Sequence, residues 1–175
     1  SDSFGAMIGV FNDTWNSYKA DPIKGLNAVG GQLSYTKEGI SVYLNAMDGS
    51  VSGTIIDLTA TFQITEKFKL GVNAADFSNE GDVGYSGAAI YPSYALTDAF
   101  ALGLRAEYFT SKKGSLDNDV TAFTLSGNYK ISGLTIIPEF RFDNNSEDVF
   151  KDGPDVVLPN TKSASQVLLA VVYGF

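Results

Sequence analysis

Apolar and polar residues alternate with period two along most of this chain, and this pattern limits its possible folds more than any other feature. Between Ile56 and Ile64, every second residue is isoleucine, leucine, alanine or phenylalanine, and the residues between them are aspartate, threonine and glutamine. Period two places the two sets on opposite faces of a β-strand. Segments 67–76, 100–109 and 134–143 repeat the pattern, and no segment shows a convincing helical period. The sequence therefore predicts an all-β fold.

The alternation predicts about ten strands, within a range of eight to twelve. They are 4–12, 25–37, 40–48, 53–64, 67–77, 83–95, 99–110, 119–131, 133–143 and 163–175. Strands in soluble sheets usually have about five or six residues. About ten residues, tilted by roughly 45°, are enough to cross a bilayer, and most of the predicted strands have that length.

The connections between the predicted strands alternate between tight and long. Tight turns lie at 37–39, 65–67, 96–98 and 132–133, and longer connections at 13–24, 49–52, 78–82, 111–118 and 144–162. Outer-membrane barrels have short periplasmic turns and longer extracellular loops. We therefore predict that residues 1–175 form a single outer-membrane domain, a transmembrane antiparallel up-and-down β-barrel. An even number of strands places both of its ends in the periplasm.

Composition removes several classes of function. The chain has no cysteine and no histidine, so it lacks thiolate chemistry, the usual general base at neutral pH and the commonest transition-metal ligand. Its formal net charge of −8 disfavours nucleic acid as a partner. No apolar run is long enough for a transmembrane helix. We expect no cofactor, no metal and no catalytic residue, and, for an exported protein, a signal peptide removed upstream of Ser1.

Charged residues in mid-strand indicate which face looks outward. Inside a soluble barrel they would need dry, paired partners, whereas a membrane barrel lets them meet water in its lumen. A soluble lipocalin-like barrel or sandwich is the alternative. The predicted lumenal or constriction residues are Asp57, Lys69, Arg105, Glu107, Glu139 and Arg141.

Aromatic residues near the strand ends resemble the girdles at the two lipid–water boundaries. The predicted girdle residues are Phe62, Phe68, Tyr94, Phe100, Tyr108, Tyr129, Phe142 and Tyr173. The final strand carries Tyr173 and ends in Phe175, a pattern resembling the signal read by the outer-membrane assembly machinery. The predicted partners are therefore outer-membrane lipid, or detergent in its place, and that machinery.

Two prolines fit the strand prediction poorly. Pro92 and Pro138 fall inside predicted strands, although proline cannot donate to a β-ladder. A closed barrel offers no edge strand for them. We therefore expect a bulge or a local register shift at each.

Several strand segments resemble a known family. They are Gly87-Ala-Ala-Ile-Tyr-Pro-Ser-Tyr94, Leu104-Arg-Ala-Glu-Tyr-Phe109, Thr124-Leu-Ser-Gly-Asn-Tyr-Lys130, Leu134-Thr-Ile-Ile-Pro-Glu-Phe-Arg-Phe-Asp143 and the opening Gly9-Val-Phe-Asn12. Together they are similar to the OmpL-like β-barrel porins, which are frequent in Bacteroidota. The resemblance covers most of the chain and implies an outer-membrane porin.

Members of that family are usually longer, and this chain resembles their C-terminal portion. It is either a small relative, a truncated or engineered version, or an excerpt. A small closed barrel and an arc of a larger one have the same sequence pattern. The resemblance identifies a fold better than it identifies a permeant solute or an oligomeric state.

Two arginine–glutamate pairs are the main candidates for a function. Arg105–Glu107 and Glu139–Arg141 share the lumenal face with Thr124, Ser126 and Asn128 of the strand between them. They form either a charged constriction that selects solutes or an ion-pair network that braces a narrow barrel. Each glutamate has an arginine two residues away that tends to keep it ionised, which is unsuitable for a general acid.

The predicted function is a passive diffusion channel for small solutes or ions. The residues predicted near the extracellular side are mostly acidic, and such a field attracts cations, so an open channel is expected to favour them. Trp15 and Tyr18 lie in the first long loop, where they either touch a ligand or pack the loop against the rim. The alternative is a narrow, side-chain-plugged structural or surface-interaction barrel with little conductance.

Overall fold

The structure, a computed structural model, describes residues 3–12, 25–112, 118–155 and 157–174. Within them, ten strands form one antiparallel sheet in the order in which they occur along the chain. The strands are β1 (Phe4–Phe11), β2 (Ala28–Lys37), β3 (Ile40–Gly49), β4 (Gly53–Gln63), β5 (Phe68–Ser78), β6 (Gly84–Ala95), β7 (Phe100–Lys112), β8 (Asp119–Ile131), β9 (Leu134–Asn145) and β10 (Ser163–Tyr173). This confirms the predicted all-β, antiparallel, up-and-down fold.

The described part of the chain contains one turn of 3-10 helix, Glu80–Asp82, between β5 and β6. No helix among the described residues has the length and apolar character needed to cross a membrane.

The register of the strands separates apolar from polar side chains. Residues directly opposite each other in an antiparallel pair lie on the same face. Leu125 of β8 lies opposite Leu104 of β7 and Phe140 of β9, whereas the next residue along, Thr124, lies opposite arginines on both sides. The period-two pattern of the sequence thus continues across the sheet as apolar rows on one face and polar rows on the other.

The polar face is the inner one. Along β9, Phe140 and Phe142 on the apolar face are exposed, whereas Glu139, Arg141 and Asp143 on the polar face are only partly exposed. A curved sheet crowds the side chains on its concave side and spreads those on its convex side. The same alternation in the middle of β7 and at residues 54–57 of β4 indicates that the sheet curves around its polar face, which we call the lumenal face.

No large apolar side chain forms a core in the described residues. The buried hydrophobic residues there are all alanines, while large apolar side chains such as Ile8 and Val167 are 82% and 78% exposed. A soluble barrel would sequester such side chains in its centre. The soluble lipocalin-like alternative is therefore wrong, because the apolar surface lies on the outside.

The strand pairing of the described residues does not close the sheet. In it, β1 pairs with β2 and β10 pairs with β9. A bilayer tolerates only closed β-structures, because unpaired backbone groups are costly in hydrocarbon. The outer edges of β1 and β10 therefore require strand partners in the membrane. That residues 1–175 form one complete barrel stays a prediction.

The tight turns are of two kinds. Glu38–Gly39 and Ser132–Gly133 are two-residue hairpin turns, and Ser132 has a positive φ of 52°. In the other two, a threonine oxygen accepts bonds from the backbone. Thr65 Oγ1 accepts from the N–H of Phe68, and Thr97 Oγ1 from that of Phe100, each at 3.0 Å. These bonds hold the chain reversal in place and explain why both turns are short.

The expected bulges or register shifts at the prolines are not found. At Pro92, the β6–β7 ladder omits two residue pairs and resumes in the same register, and at Pro138 the β8–β9 ladder does the same. Each proline keeps its place opposite a residue of its other neighbour, Leu70 or Leu169. A missing N–H weakens the ladder on one side only, and the side chain stays on the apolar face. The expectation was wrong because the other ladder maintains the register.

Candidate lumenal site

Four charged side chains of β7 and β9 form a network on the lumenal face. Arg105 forms an ion pair with Glu107 on its own strand. Arg141 binds Asp143 through Nε and Nη2 at 2.6–3.0 Å, and its Nη2 lies 3.8 Å from Glu107 Oε1. Ala122 of the intervening strand lies between Glu107 and Asp143 in register and is only 1% exposed. The network therefore covers β8 at Ala122.

The expected pairing of Glu139 with Arg141 is wrong. Arg141 has a carboxylate two residues away on either side, Glu139 and Asp143, and it forms its ion pair with Asp143. The cause is the cross-strand register, which aligns Glu107, Ala122 and Asp143 in one row. Two carboxylates in that row attract the guanidinium more strongly than the single one of Glu139. Glu139 lies in a different row, opposite Ser126, and has no described ion pair or hydrogen bond.

A second polar ladder crosses the lumenal face on the other half of the sheet. Gln32 Nε2 donates to Asn45 Oδ1 at 2.7 Å, and Asn45 Nδ2 donates to Asp57 Oδ1 at 2.9 Å. These three residues are directly opposite one another on β2, β3 and β4. Sequence reasoning identified Asp57 but missed the two amides, because only the register of three strands reveals them.

The remaining predicted lumenal residue, Lys69, is also on this face. It lies opposite Gln63 and Ser93, in the row that continues through Gly103 and Ser126 to Glu139. Acidic and basic side chains are equal in number on the lumenal face of the described strands. They are Asp57, Glu107, Glu139, Asp143, Lys69, Lys130, Arg105 and Arg141. The wall itself therefore carries no net charge.

An aromatic stack on the lumenal face was not predicted. The Tyr85 ring lies 5.3 Å from that of Phe77 and 5.5 Å from that of Phe109, measured between centroids. Phe77 and Phe109 are at the ends of β5 and β7 that lead into the long connections. Their inward direction follows from the period-two alternation, but their contact depends on the register.

All eight predicted girdle residues lie on the apolar face, and the structure divides them between its two ends. Phe62, Phe68, Tyr94, Phe100, Tyr129 and Tyr173 lie at the end with the tight turns, and Tyr108 and Phe142 toward the end with the long connections. Phe100 contacts Tyr129 at 6.5 Å between centroids. That these residues form lipid-boundary girdles stays a prediction. So does the assembly signal, of which Phe175 lies outside the described residues, as do Trp15 and Tyr18.

The apolar face becomes polar beyond Tyr108. Thr54 donates to Asp48 there, and Lys112 Nζ donates to both carboxylate oxygens of Asp76 at 2.6 Å. Ion pairs of this kind are stable where water or headgroups reach them. From these contacts we predict that the hydrocarbon layer ends near this end of β3, β4, β5 and β7. Among the described residues, no group of three or more acidic side chains is arranged to hold a metal ion.

These features define a class of protein. The sheet is antiparallel, its outer face is apolar and its lumenal face is polar, which is the arrangement of a porin-type outer-membrane β-barrel. Comparisons with known proteins agree. The sequence matches the family described as "Putative beta-barrel porin-2, OmpL-like" over residues 1–175. The chain belongs to this family of OmpL-like β-barrel porins, and it is located in the bacterial outer membrane.

Two solved structures share the fold. An anion-selective porin from Comamonas acidovorans has a TM-score of 0.74 and 16% identity, with 99% of this chain and 56% of the porin covered. A bacterial polysaccharide outer membrane secretin has a TM-score of 0.59 and 12% identity, with 96% of this chain and 62% of the secretin covered. This chain therefore spans less than two thirds of the length of either. None of the curated proteins matches the sequence. The origin in Bacteroidota stays a prediction.

Proposed function

We propose that this chain forms the wall of a passive diffusion channel for small solutes and ions, and that the open channel favours cations. The observation that carries the proposal is the lumenal face, which carries hydrophilic side chains across the sheet, with an aromatic stack near one end, and has no large apolar side chain that is buried in the described residues. Water and solutes can pass along such a surface, whereas a filled barrel excludes them.

The cation preference rests on the charge of the whole chain. Since the described lumenal wall is balanced, the net charge of −8 must come from residues elsewhere, many of them in or near the long connections. Glu80, Glu147, Asp148, Asp152 and Asp155 lie there. A negative rim concentrates cations at the mouth of a channel. The Comamonas acidovorans porin is anion-selective by its description. Selectivity for anions is therefore one of the outcomes that the bilayer test below distinguishes.

We also propose that the protein is not an enzyme. The chain has no histidine, and Glu107 is occupied by an ion pair with Arg105 and a contact with Arg141. Porins are channels, so membership of a porin family also favours a protein without catalytic activity.

Planar bilayer recordings test the channel. Protein refolded in detergent and checked by its heat-modifiable migration on a gel should give steady openings. The sign of the reversal potential under a KCl gradient should show selectivity for K⁺. Selectivity for Cl⁻ would contradict the cation preference. Silence from folded protein would contradict the channel and favour the plugged, structural barrel.

Two alanine variants separate a constriction from a brace. The Arg105 side chain is 38% exposed and that of Arg141 is 25% exposed and bound to Asp143 by two nitrogens. We expect Arg105→Ala to fold and to raise single-channel conductance, because its side chain is the more exposed of the two. Arg141→Ala should mainly lower stability. Unchanged conductance in folded Arg105→Ala would show that Arg105 does not narrow the channel.

A further inference from the structure

We propose that a furrow in the lumenal wall of β6 to β9 is a binding subsite for small zwitterions the size of a dipeptide. The proposal rests on the diffusion channel proposed above and names the class of solute that it holds. The furrow has a volume of about 460 Å³. Its lining includes Gly103, Arg105, Ser126, Glu139 and Arg141.

A glycine at the floor of the furrow leaves space that a side chain would fill. Gly103 lies opposite Ser93 and Ser126, and a Cβ atom at this position would be 2.8 Å from Ser126 Oγ. Glycine inside a strand costs stability, and it often marks a place where another group approaches the backbone closely. Asn128 Nδ2 lies 3.5 Å from Ser126 Oγ and adds a second polar group to the floor. The floor therefore offers hydroxyl and amide groups to a polar solute.

The two arginines supply donors for a carboxylate. In the described contacts, Arg105 uses Nη2 toward Glu107, and Arg141 uses Nε and Nη2 toward Asp143 and Glu107. None of these contacts uses Nη1 of either arginine. The Arg105 guanidinium also lies over the Tyr91 ring, 5.8 Å from its centroid, which limits its orientation. Both Nη1 groups can therefore donate to a solute without breaking the network.

Glu139 supplies the acceptor for an ammonium group. Its carboxylate has no described partner, and the charges of the two arginines are balanced by Glu107 and Asp143. A half-buried carboxylate without a partner is stabilised when an ammonium group pairs with it. A zwitterion placed in the furrow would satisfy the carboxylate and the free arginine donors together.

The positions of Glu139 and Arg141 limit the size of the solute. They are on the same face of one strand, two residues apart, so their backbones are separated by roughly 6.6 Å along the strand, and the Arg141 guanidinium extends the other way, toward Asp143. Two extended residues span at most about 7 Å. The termini of a dipeptide can therefore reach both groups, whereas the shorter free amino acid reaches them less well.

Binding measured in detergent tests the subsite without requiring conductance. The probes are alanyl-alanine, N-acetyl-alanyl-alanine and alanyl-alanine amide, titrated into the refolded protein by calorimetry or saturation-transfer NMR. A hydrogen bond to a charged group contributes about 1.5–3 kcal/mol, so the zwitterion should bind about tenfold or more tightly than either blocked compound. Equal binding of all three, or none at all, would overturn the subsite.

Two variants locate the binding. Glu139→Gln should reduce binding of alanyl-alanine to the level of the N-acetyl compound, which has no ammonium group. Asp57→Asn removes a lumenal carboxylate outside the furrow and is the matched control, expected to leave the preference unchanged. Gly103→Ala should weaken all three probes by filling the floor. An equal loss in Asp57→Asn and Glu139→Gln would show a general charge effect and would contradict the proposal.

The subsite and the channel can fail separately. Steady conductance with equal binding of the three probes would overturn the subsite and leave the channel. Silent bilayers with the expected binding pattern would overturn the channel and leave the subsite as a surface recognition site.

Discussion

Arg141 connects the two halves of the lumenal ion network. It binds Asp143 along its own strand and approaches Glu107 two strands away, with Ala122 beneath. Side chains in such a network are partly buried, so the loss of one partner leaves another charge poorly satisfied. At the scale of single residues, this makes Asp143, and not Glu139, the carboxylate on which the network depends.

We predict that Asp143→Asn lowers the free energy of unfolding by about 1–3 kcal/mol, because it removes the charge that Arg141 binds with two nitrogens. Asp57→Asn is the matched control. Asp57 accepts one described amide bond, from Asn45, so its loss should cost about 0.5–1.5 kcal/mol. Urea denaturation of the refolded protein, followed by far-UV circular dichroism, measures both. Equal losses would show that the network adds no stability of its own.

The lumenal residues were predictable as a set but not as pairs. Period two fixes the face of Asp57, Lys69, Arg105, Glu107 and Arg141, and all of them lie on the lumenal face. Partner choice depends on how adjacent strands are aligned, and a shift of two residues would have placed another carboxylate beside Arg141. Sequence alone therefore suggested Glu139 where the register gives Asp143.

The strands themselves are determined locally. Their observed bounds differ from the predicted ones by at most a few residues, because the alternation and the turn residues act over short distances. The shared conformation of the 64–68 and 96–100 turns escaped prediction, although threonine followed by an acidic residue occurs in both. Neither feature determines what pairs with the outer edges of β1 and β10, since strand pairing acts between distant segments.

At the scale of elements, the turn between β8 and β9 is strained. Ser132 has φ of 52°, a left-handed conformation that costs most L-residues roughly 1–2 kcal/mol, and Gly133 follows it. Gly133 does not share the positive φ, so only the first central residue of this turn has one, as in a type II′ hairpin, where glycine is preferred at that position. We predict that Ser132→Gly raises the free energy of unfolding by up to about 1 kcal/mol, because removing the Cβ relieves the strain while the more flexible unfolded chain offsets part of the gain. Urea denaturation measures the change.

The β2–β3 turn provides the control for that change. Glu38 also precedes a glycine in a two-residue hairpin, but among non-glycine residues described by the structure only Ser132 has a positive φ. Glu38→Gly should therefore give no gain. A similar gain in both variants would indicate a general preference for glycine in exposed turns and would contradict relief of strain at Ser132.

The whole molecule is inverted relative to a soluble protein. Its large apolar side chains cover the outer face, its buried hydrophobic residues are alanines within the described part, and the ion network of Arg105, Glu107, Arg141 and Asp143 lies on the inner face. We therefore expect lipid to be part of its stabilising environment, because the described outer face has no protein to pack against. The outer edges of β1 and β10 have no partner in the described pairing, and backbone groups left unpaired there would be costly in hydrocarbon.

Substitutions at two adjacent residues in the middle of β4 test which face of the sheet contacts lipid. Leu58 lies on the outer face opposite Leu44 and Ala74, and Thr59 lies on the lumenal face opposite Tyr43 and Asn73. Lysine on the lipid face near the bilayer midplane costs about 2–4 kcal/mol, whereas a lumenal lysine meets water. We therefore predict that Leu58→Lys destabilises the protein folded in phospholipid vesicles by that amount and Thr59→Lys by less than about 1 kcal/mol. Guanidinium denaturation in vesicles measures the difference. Equal costs, or a larger cost for Thr59→Lys, would mean that the apolar face does not contact the acyl chains.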